Sequence, residues 1–192
     1  MRIIAGKYKG SYLYLTKDKT TRPLKDRARE SIFNLLTHSN KIVFSFERAS
    51  ILDLYAGTGS FGLECLSRQA KSVFFIEKEK EAIKILKKNI KKLKIKKKTK
   101  IYFDEVFKLI EKQNIFISNF NLIFCDPPFK YTNINDLIEL IITKDLLKKN
   151  GIILMHRHAN AKEKFSTYFE VIDKRVYGLS KIIFGKPLSS LS

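Results

Sequence analysis

The sequence predicts an α/β protein with a doubly wound, mostly parallel sheet. Through the middle of the chain, short apolar runs of strand length alternate with segments in which apolar residues recur at helical spacing. Glycines or acidic residues follow the ends of several of these runs. Because ligands of such sheets bind at the carboxyl ends of the strands, we expect one cleft to collect these residues.

Five apolar runs are predicted to form parallel strands, at residues 51–54, 73–77, 100–103, 121–125 and 151–156. Helices are predicted after Asp26, after Gly59 and at residues 78–98, 106–112, 133–144, 145–149 and 159–169. Residues 171–177 and 180–184 flank Gly178 and are predicted to form an antiparallel hairpin at one edge of the sheet. The expected sheet therefore has seven strands, five parallel and two in the hairpin.

The first 20 residues are predicted to form a small β-hairpin extension ahead of a main domain at 21–192. Within it, residues 2–15 resemble two short strands, with tyrosines interleaved with Lys7 and Lys9. A basic and aromatic hairpin suits nucleic acid, because rings stack on bases and amines contact phosphates. An edge hairpin whose tyrosines pack on the main domain explains the same pattern.

The run at 51–54 leads into GTGSFG at residues 57–62, a full G-x-G-x-x-G motif followed by a helical pattern. In this context the glycine backbone can press against a ligand, and the helix N-terminus points free N–H groups at it. Glu77 ends the next strand 20 residues after Gly57, where a carboxylate meets the ribose hydroxyls of a bound nucleoside. After the third strand, either Asp104 or Glu105 could accept a hydrogen bond from an adenine amino group.

The fourth strand runs into the stretch Asp126-Pro127-Pro128-Phe129. Two successive prolines force extended backbone and remove two N–H donors, so carbonyl oxygens point outward beside the Asp126 carboxylate. These oxygens can accept both hydrogens of an exocyclic amine, and Phe129 offers a flat face for base stacking. The stretch predicts a site for a nucleobase amine; a rigid turn after a buried strand is the alternative.

The charge balance favours a polyanionic partner. The chain carries 38 lysines and arginines against 19 acidic residues, a net charge of +19. The predicted helix at 78–98 has an outer face of lysines, and a Lys-rich genome is the other explanation. Arg22, Arg27 and Arg29 cluster around the first helix, where their forked guanidinium groups suit phosphate or a guanine edge, although a solvated helix face with surface ion pairs fits too.

Other classes of protein find little support in the sequence. No apolar run approaches the roughly 20 residues of a membrane helix, and the first residues lack a signal-peptide pattern, so we expect a cytoplasmic protein. Cys65 and Cys125 are interpreted as buried small apolar residues. His156 and His158 could share one strand face, but without a third ligand nearby no metal site is expected.

These motifs and their order resemble a known family. The stretches RIIAGKYKG, TRPLKDRARESIF, DLYAGTGSFGLECLSR, FFIEKEKEA, DPPF and YGLSKIIF are similar to those of the RsmD-type enzymes, which methylate guanine N2 in bacterial small-subunit ribosomal RNA. DPPF alone is shared with many DNA adenine methyltransferases, whereas the arginine block and the glycine motif together are specific. The resemblance covers nearly the whole chain.

The resemblance implies a class I methyltransferase fold that uses S-adenosylmethionine, with ribosomal RNA or the small-subunit particle as partner and a monomeric chain. It implies that Asp126, Pro127, Pro128 and Phe129 hold the target amine. The implied cofactor residues are Asp53, Tyr55, Ala56, Gly57, Gly59 and Glu77, with Asp104 or Glu105 at adenine. Arg27 and Arg29 match the family's arginine block, which leaves open whether they face the RNA or the cofactor. Together with Lys7, Lys9 and Arg22 they are the residues predicted to bind RNA.

Two departures from the family pattern stand out. Residues 155–158, Met-His-Arg-His, replace expected acidic residues after the fifth strand, and the Lys-rich helix exceeds the family norm. We expect neither to touch the transfer centre. Three rival functions remain at this point: a DNA adenine methyltransferase, a nicotinamide dehydrogenase and a non-catalytic RNA-binding module.

Overall fold

The computed structural model describes residues 1–16, 26–112, 116, 119–128 and 133–188, with side chains omitted at 26 and 27. A seven-stranded sheet forms its centre, in the order β3-β2-β1-β4-β5-β7-β6. The strands are β1 Ser50–Leu54, β2 Ser72–Glu77, β3 Thr99–Phe103, β4 Phe120–Cys125, β5 Leu147–His158, β6 Phe169–Tyr177 and β7 Ser180–Pro187. The first five are parallel to one another, and β7 pairs antiparallel with both β5 and β6. The predicted sheet is confirmed.

Among the described residues, five α-helices cover the two faces of this sheet. They are α1 Asp26–His38, α2 Ser60–Ser67, α3 Lys80–Leu93, α4 Val106–Glu111 and α5 Ile134–Thr143. The apolar residues of α1, α2 and α3 form one core with one face of the strands, and those of α4 and α5 form a second core on the other face. The central strands are apolar on both sides because both of their faces are covered in this way.

The helix α3 buries one apolar stripe, which consists of Ala82, Ile83, Leu86, Ile90 and Leu93. Cys65 and Cys125 are also buried and unbridged, as the sequence predicted, and burial raises the pKa of both thiols. Such thiols behave as small apolar residues.

Two predicted helices are wrong. Residues 145–149 lead into β5, because Leu147 already pairs with Phe120 of β4. The chain at 159–168 forms turns and irregular backbone, where Glu163 is held by Arg157 and Lys181. In both places contacts distant in sequence override a local helical pattern.

The N-terminal arm, residues 1–16, is less regular than predicted. Instead of two strands it contains one antiparallel bridge, between Arg2 and Tyr12. Its apolar residues Ile3 and Leu13 belong to the same core as α1, α2 and α3. The arm is therefore packed along the body of the molecule.

Candidate active site

The strand register brings the predicted site residues to one edge of the sheet. Leu54 of β1 pairs with Ile76 of β2 and with Cys125 of β4, and Glu77 pairs with Phe103 of β3. Neighbouring strands lie about 4.8 Å apart, so the residues that follow these pairs are close neighbours. The shared edge carries Asp53, Glu77, Asp104 and Asp126. The predicted convergence of acidic residues is present in the fold.

The glycines between β1 and α2 have different structural roles. Gly57 has φ +55°, and a Cβ built there would meet nothing within 4 Å. Gly59 has φ +85°, and its Cβ would lie 2.3 Å from Leu86 Cδ1. A Cβ on Gly62 would lie 2.5 Å from the Phe75 ring. Gly57 thus presents bare backbone to open space, whereas Gly59 and Gly62 let α2 pack against α3 and β2.

Asp53 is buried beneath this glycine loop. Its Oδ2 accepts a hydrogen bond of 3.0 Å from the Gly62 N–H. Burial raises the pKa of the Asp53 carboxyl well above its ordinary value, and the negative charges of Asp126 and Glu77 raise it further against the lowering effect of the Gly62 N–H. The site therefore holds a desolvated acid whose ionised form is disfavoured until a cation arrives.

Glu77 holds the other side of the loop. Its Oε2 accepts from the Gly57 N–H at 2.7 Å, and its Oε1 accepts from the N–H groups of Lys78 and Glu79, both at 2.8 Å. A carboxylate offers about four acceptor positions, so these bonds leave room for one further hydroxyl. The expected ribose contact of Glu77 stays a prediction.

Asp104 and Glu105 both lie after β3, and each has a structural partner. Asp104 Oδ2 accepts from Lys112 Nζ at 2.6 Å, and this bond is the main cause of a lowered pKa at Asp104. Glu105 Oε2 accepts from the Lys108 N–H at 3.0 Å and so caps α4. The choice between them for the adenine amino group stays open.

Asp126 contacts His156, a residue that the sequence analysis did not place in the site. Its Oδ1 lies 2.8 Å from His156 Nδ1, and His156 Nε2 lies 2.9 Å from the Ser180 hydroxyl. His156, which was expected to lie apart from the predicted amine site, therefore contacts one of the residues predicted to form it. Cys125 pairs with Met155, which places His156 level with Asp126 on the next strand. Pro127 is buried and Pro128 exposed, and Phe129 lies outside the described residues.

The edge has the chemistry that S-adenosylmethionine requires. That molecule carries a sulfonium and an ammonium group, and Asp53 and Glu77 place two acidic side chains beside the glycine loop in a protein of net charge +19. The open space at Gly57 lets a ligand approach the backbone, and Tyr55 and Ala56 begin the same loop, Tyr55 at a φ of +59°. A positive ligand would relieve the repulsion among these carboxyl groups. The residues fit the cofactor.

The predicted RNA-binding residues divide into three groups. Lys7 and Lys9 are exposed on the arm. Arg29 is 1% exposed, and its Nη2 donates to the Arg2 carbonyl at 2.7 Å, so the prediction that it contacts RNA is wrong. Its guanidinium anchors the arm instead. Arg22 lies outside the described residues, and Arg27 is described only as backbone in α1.

Sequence reasoning missed three side chains around the site. Glu64 accepts from the N–H groups of Ile4 and Ala5 and holds the arm on α2. Asn89, buried on α3, donates to Thr58 O in the glycine loop and pairs with the Tyr14 backbone. The polar Glu64 and Asn89 interrupt apolar helix faces, a signal that could have marked both. For His156 the departure from the family pattern was the signal.

Metal binding and membrane insertion receive no support in the part of the chain that the structure describes. No group of three or more potential metal-ligating side chains occurs among those residues. None of the helices described there has the length and apolarity required to cross a bilayer.

Comparison with known proteins agrees with the geometry. The chain matches the model of the family described as "Conserved hypothetical protein 95" over residues 1–186. "Putative rRNA methyltransferase YlbH" of Bacillus subtilis is 31% identical over 188 residues, which cover 97% of this chain and 98% of that protein. "Ribosomal RNA small subunit methyltransferase D" of Haemophilus influenzae is 35% identical over 153 residues, covering 80% and 76%.

A solved structure shows the same architecture. "Putative methyltransferase yhhF from Escherichia coli" superimposes with a TM-score of 0.83 at 26% identity and covers 97% of both chains. Fold and site together define a class I methyltransferase that uses S-adenosylmethionine. The family match spans nearly the whole chain, and the relatives exceed 30% identity. The chain therefore belongs to the RsmD-type methyltransferase family, and the resemblance seen in the sequence is confirmed.

Proposed function

We propose that this protein transfers a methyl group from S-adenosylmethionine to the exocyclic N2 amine of a guanine in small-subunit ribosomal RNA. The observation that carries the proposal is the position of Asp126 and Pro127 directly after β4, beside the glycine loop that follows β1. Asp126 is close enough to Asp53 for its charge to affect that carboxyl. The names of the relatives support ribosomal RNA as the substrate class.

Guanine N2 is a weak nucleophile because its lone pair is delocalised into the ring. Bound S-adenosylmethionine supplies a methyl group already activated by a positively charged sulfur. The protein must then hold the amine in line with that group, and such positioning supplies several kcal/mol. Hydrogen bonds from the amine to Asp126 and to the Pro127 carbonyl localise the lone pair and offset the growing positive charge.

The transfer is followed by loss of one proton. As the new N–C bond forms, the methyl–sulfur bond breaks and its electron pair stays on sulfur. The amine N–H bond then breaks, its electron pair remains on nitrogen, and the proton passes to Asp126 or to water. The base must leave its stack in the RNA to reach the cleft, and Phe129 is proposed to replace the lost stacking partner.

The RNA is proposed to dock on the arm and on α3, which form one basic and aromatic surface. Tyr12 and Tyr14 are 68% and 50% exposed on the arm. Lys92 of α3 donates to the Tyr12 carbonyl at 2.6 Å and lies 4.9 Å from the Tyr14 ring centroid. Exposed rings next to amines suit bases next to phosphates. This substrate would place the protein in the cytoplasm, and we propose that it acts as a monomer.

The substrate is tested by mass spectrometry of nucleosides from small-subunit ribosomal RNA of cells with and without the protein. We expect N2-methylguanosine to decrease in the cells that lack it. The purified protein, given labelled cofactor, should label ribosomal RNA or small-subunit particles and leave DNA unlabelled. Labelled methyladenine in DNA would instead favour the DNA enzyme, and no transfer to any nucleic acid would favour an RNA-binding module.

The role of Asp126 is tested by two substitutions. Asp126→Ala should lower kcat by about 100-fold or more, because an acceptor for the amine is lost, while cofactor affinity measured by calorimetry is preserved. Asp126→Asn should keep part of the activity, since an amide oxygen still accepts. Glu139→Ala, an exposed acid on α5, is the control. Loss of cofactor binding together with activity in Asp126→Ala would refute this assignment.

A further inference from the structure

His156 is a buried polar side chain in direct contact with Asp126. It lies on β5 and is 4% exposed, whereas the Asp126 side chain is 25% exposed. Its two ring nitrogens are at hydrogen-bond distance from two different residues, Asp126 at 2.8 Å and Ser180 of β7 at 2.9 Å. The three side chains thus form a chain from the core of the sheet to the cleft.

The chemistry of the partners determines where the imidazole proton lies. An ionised Asp126 carboxylate can only accept, so His156 Nδ1 must carry a hydrogen and donate it. The Ser180 hydroxyl can both donate and accept, so it can donate to Nε2 of the neutral ring. In this arrangement the contacts of His156 with Asp126 and with Ser180 are both hydrogen bonds, and Nδ1 is the donor to the carboxylate.

We propose that His156 is a positioning residue for methyl transfer: its Nδ1–H fixes Asp126 Oδ1, so that Oδ2 faces the target amine. The inference rests on the proposed function of Asp126 as the acceptor for that amine. The Asp126 side chain is partly exposed and can rotate between rotamers, and a hydrogen bond to one of its oxygens restricts that rotation. His156 is itself fixed by burial in β5 and by Ser180, so it holds that orientation before the substrate arrives.

The same arrangement provides an acceptor for the proton that the methylated amine releases. The proton released from the amine goes to Oδ2, the oxygen that His156 does not occupy, and from there to water. His156 keeps its Nδ1–H throughout, because Oδ1 remains an acceptor when Oδ2 is protonated. The imidazole therefore acts through Asp126 and does not need to contact the base.

Rescue by an isosteric donor distinguishes positioning from mere packing. His156→Leu fills the site without a donor, whereas His156→Asn places an amide N–H close to the position of Nδ1. We expect His156→Leu to lower kcat by about 10- to 100-fold, with the calorimetric Kd for S-adenosylmethionine within about twofold of wild type. His156→Asn should recover most of the lost kcat. His158→Asn, the neighbouring histidine on the same strand, is the matched control and should match the wild type.

Three results would overturn the inference. They are an unchanged kcat in His156→Leu, a His156→Asn variant as slow as His156→Leu with cofactor affinity intact, and loss of cofactor binding in both variants. The last result would mean that His156 supports the cleft as a whole and does not act on Asp126. Thermal unfolding of each variant, compared at the assay temperature, ensures that the enzymes are folded.

A spectroscopic measurement separates this inference from the proposed function. The ¹⁵N shifts of the His156 ring in the free protein, recorded at mildly alkaline pH, should show a protonated Nδ1 and a bare Nε2, and Asp126→Ala should change them. A bare Nδ1, with the ring proton on Nε2 alone, would overturn the inference even if guanine N2 is methylated. If the wild type methylates no guanine N2, the proposed function fails, while the ¹⁵N spectrum still reports whether His156 holds Asp126.

Discussion

At the scale of single residues, the buried carboxyl of Asp53 lowers the stability of the free protein when it is ionised, because it has lost its hydration and lies near two other acids. Burial raises the pKa of the Asp53 carboxyl, and the charges of Asp126 and Glu77 raise it further, so all three oppose its ionisation. A group whose pKa is raised in the folded state stabilises the fold below its unfolded pKa and loses that contribution as pH rises through the folded value. For Asp53 the loss begins near 3.8 and ends at its raised pKa.

Asp53→Asn should therefore stabilise the free protein and weaken cofactor binding. The amide oxygen still accepts from the Gly62 N–H, and the buried charge is gone. Near neutral pH we expect a gain of about 1 kcal/mol in the free energy of unfolding, measured with denaturant, and this gain should shrink as the pH is lowered toward 4. Cofactor affinity should fall by about tenfold, or about 1.4 kcal/mol.

A second buried aspartate is the control for this prediction. Asp173 of β6 is also buried but is paired with Arg175 at 3.0 Å. Asp173→Asn removes one partner of an ion pair, so it should not stabilise the protein and should leave cofactor affinity unchanged. A destabilised Asp53→Asn variant with wild-type affinity would show that the carboxylate supports the loop structurally and does not serve the cofactor.

At the scale of elements, the sequence predicted the parts whose patterns are local. The strands at 51–54 and 121–125, with the glycine motif between β1 and α2, follow from short apolar runs and turn residues. The helix at 159–169 was wrong because Phe165 and Phe169 instead pack in the second core, and Glu163 is buried between two cations. A periodic pattern over few residues does not reveal such distant partners.

In the site, too, residues placed by local motifs could be predicted, whereas residues placed by contacts between distant segments could not. Residues placed by a motif, such as Gly57, Glu77 and Asp126, were found at the expected edge of the sheet. Residues placed by pairing between distant segments were misjudged. Arg29 was expected at the surface but holds the arm from inside, and His156 was expected away from the centre but contacts Asp126. Neither contact has a local signature, since each joins segments about 30 residues apart.

One side chain of α3 links the arm to the glycine loop, and Asn89→Ala should uncouple them. Asn89 bonds to the Tyr14 backbone at 2.8 and 3.1 Å and to Thr58 O at 3.0 Å. The substitution leaves the buried Thr58 carbonyl without this partner, which costs about 1–3 kcal/mol. We expect faster amide exchange in the arm and in residues 56–60, and weaker cofactor binding, measured by hydrogen-exchange mass spectrometry and calorimetry.

The control for Asn89 is Asn34, which is exposed on α1. Asn34→Ala should leave exchange rates and cofactor affinity at wild-type values, because it truncates an exposed side chain. Exchange in β1 and β4 should remain slow in both variants. The arm has two other anchors on α2: Glu64, and the Ser67 hydroxyl, which accepts from the Tyr8 N–H at 2.9 Å. If the arm keeps its protection in Asn89→Ala, then these two suffice to hold it, and the proposed link to the glycine loop is absent.

At the scale of the whole molecule, basic residues lie on the surface and acidic residues in the cleft. The salt dependence of RNA binding tests whether the lysines of α3 form the docking surface. Lys87, Lys88 and Lys91 are exposed on α3, the helix whose Lys92 contacts the arm. Replacing these three with Ala should weaken RNA binding and reduce the slope of log affinity against log salt by about 2–3 in filter binding, because fewer counterions are released. Stability should not fall, since Lys87 and Lys91 repel one another at i,i+4.

The matched control is the triple Ala variant at Lys71, Lys148 and Lys149. These lysines are exposed at the amino-terminal ends of β2 and β5, whereas the cleft lies at the carboxyl ends of the strands. Equal losses in both triples would mean that RNA responds to net charge alone and that α3 is not a docking surface.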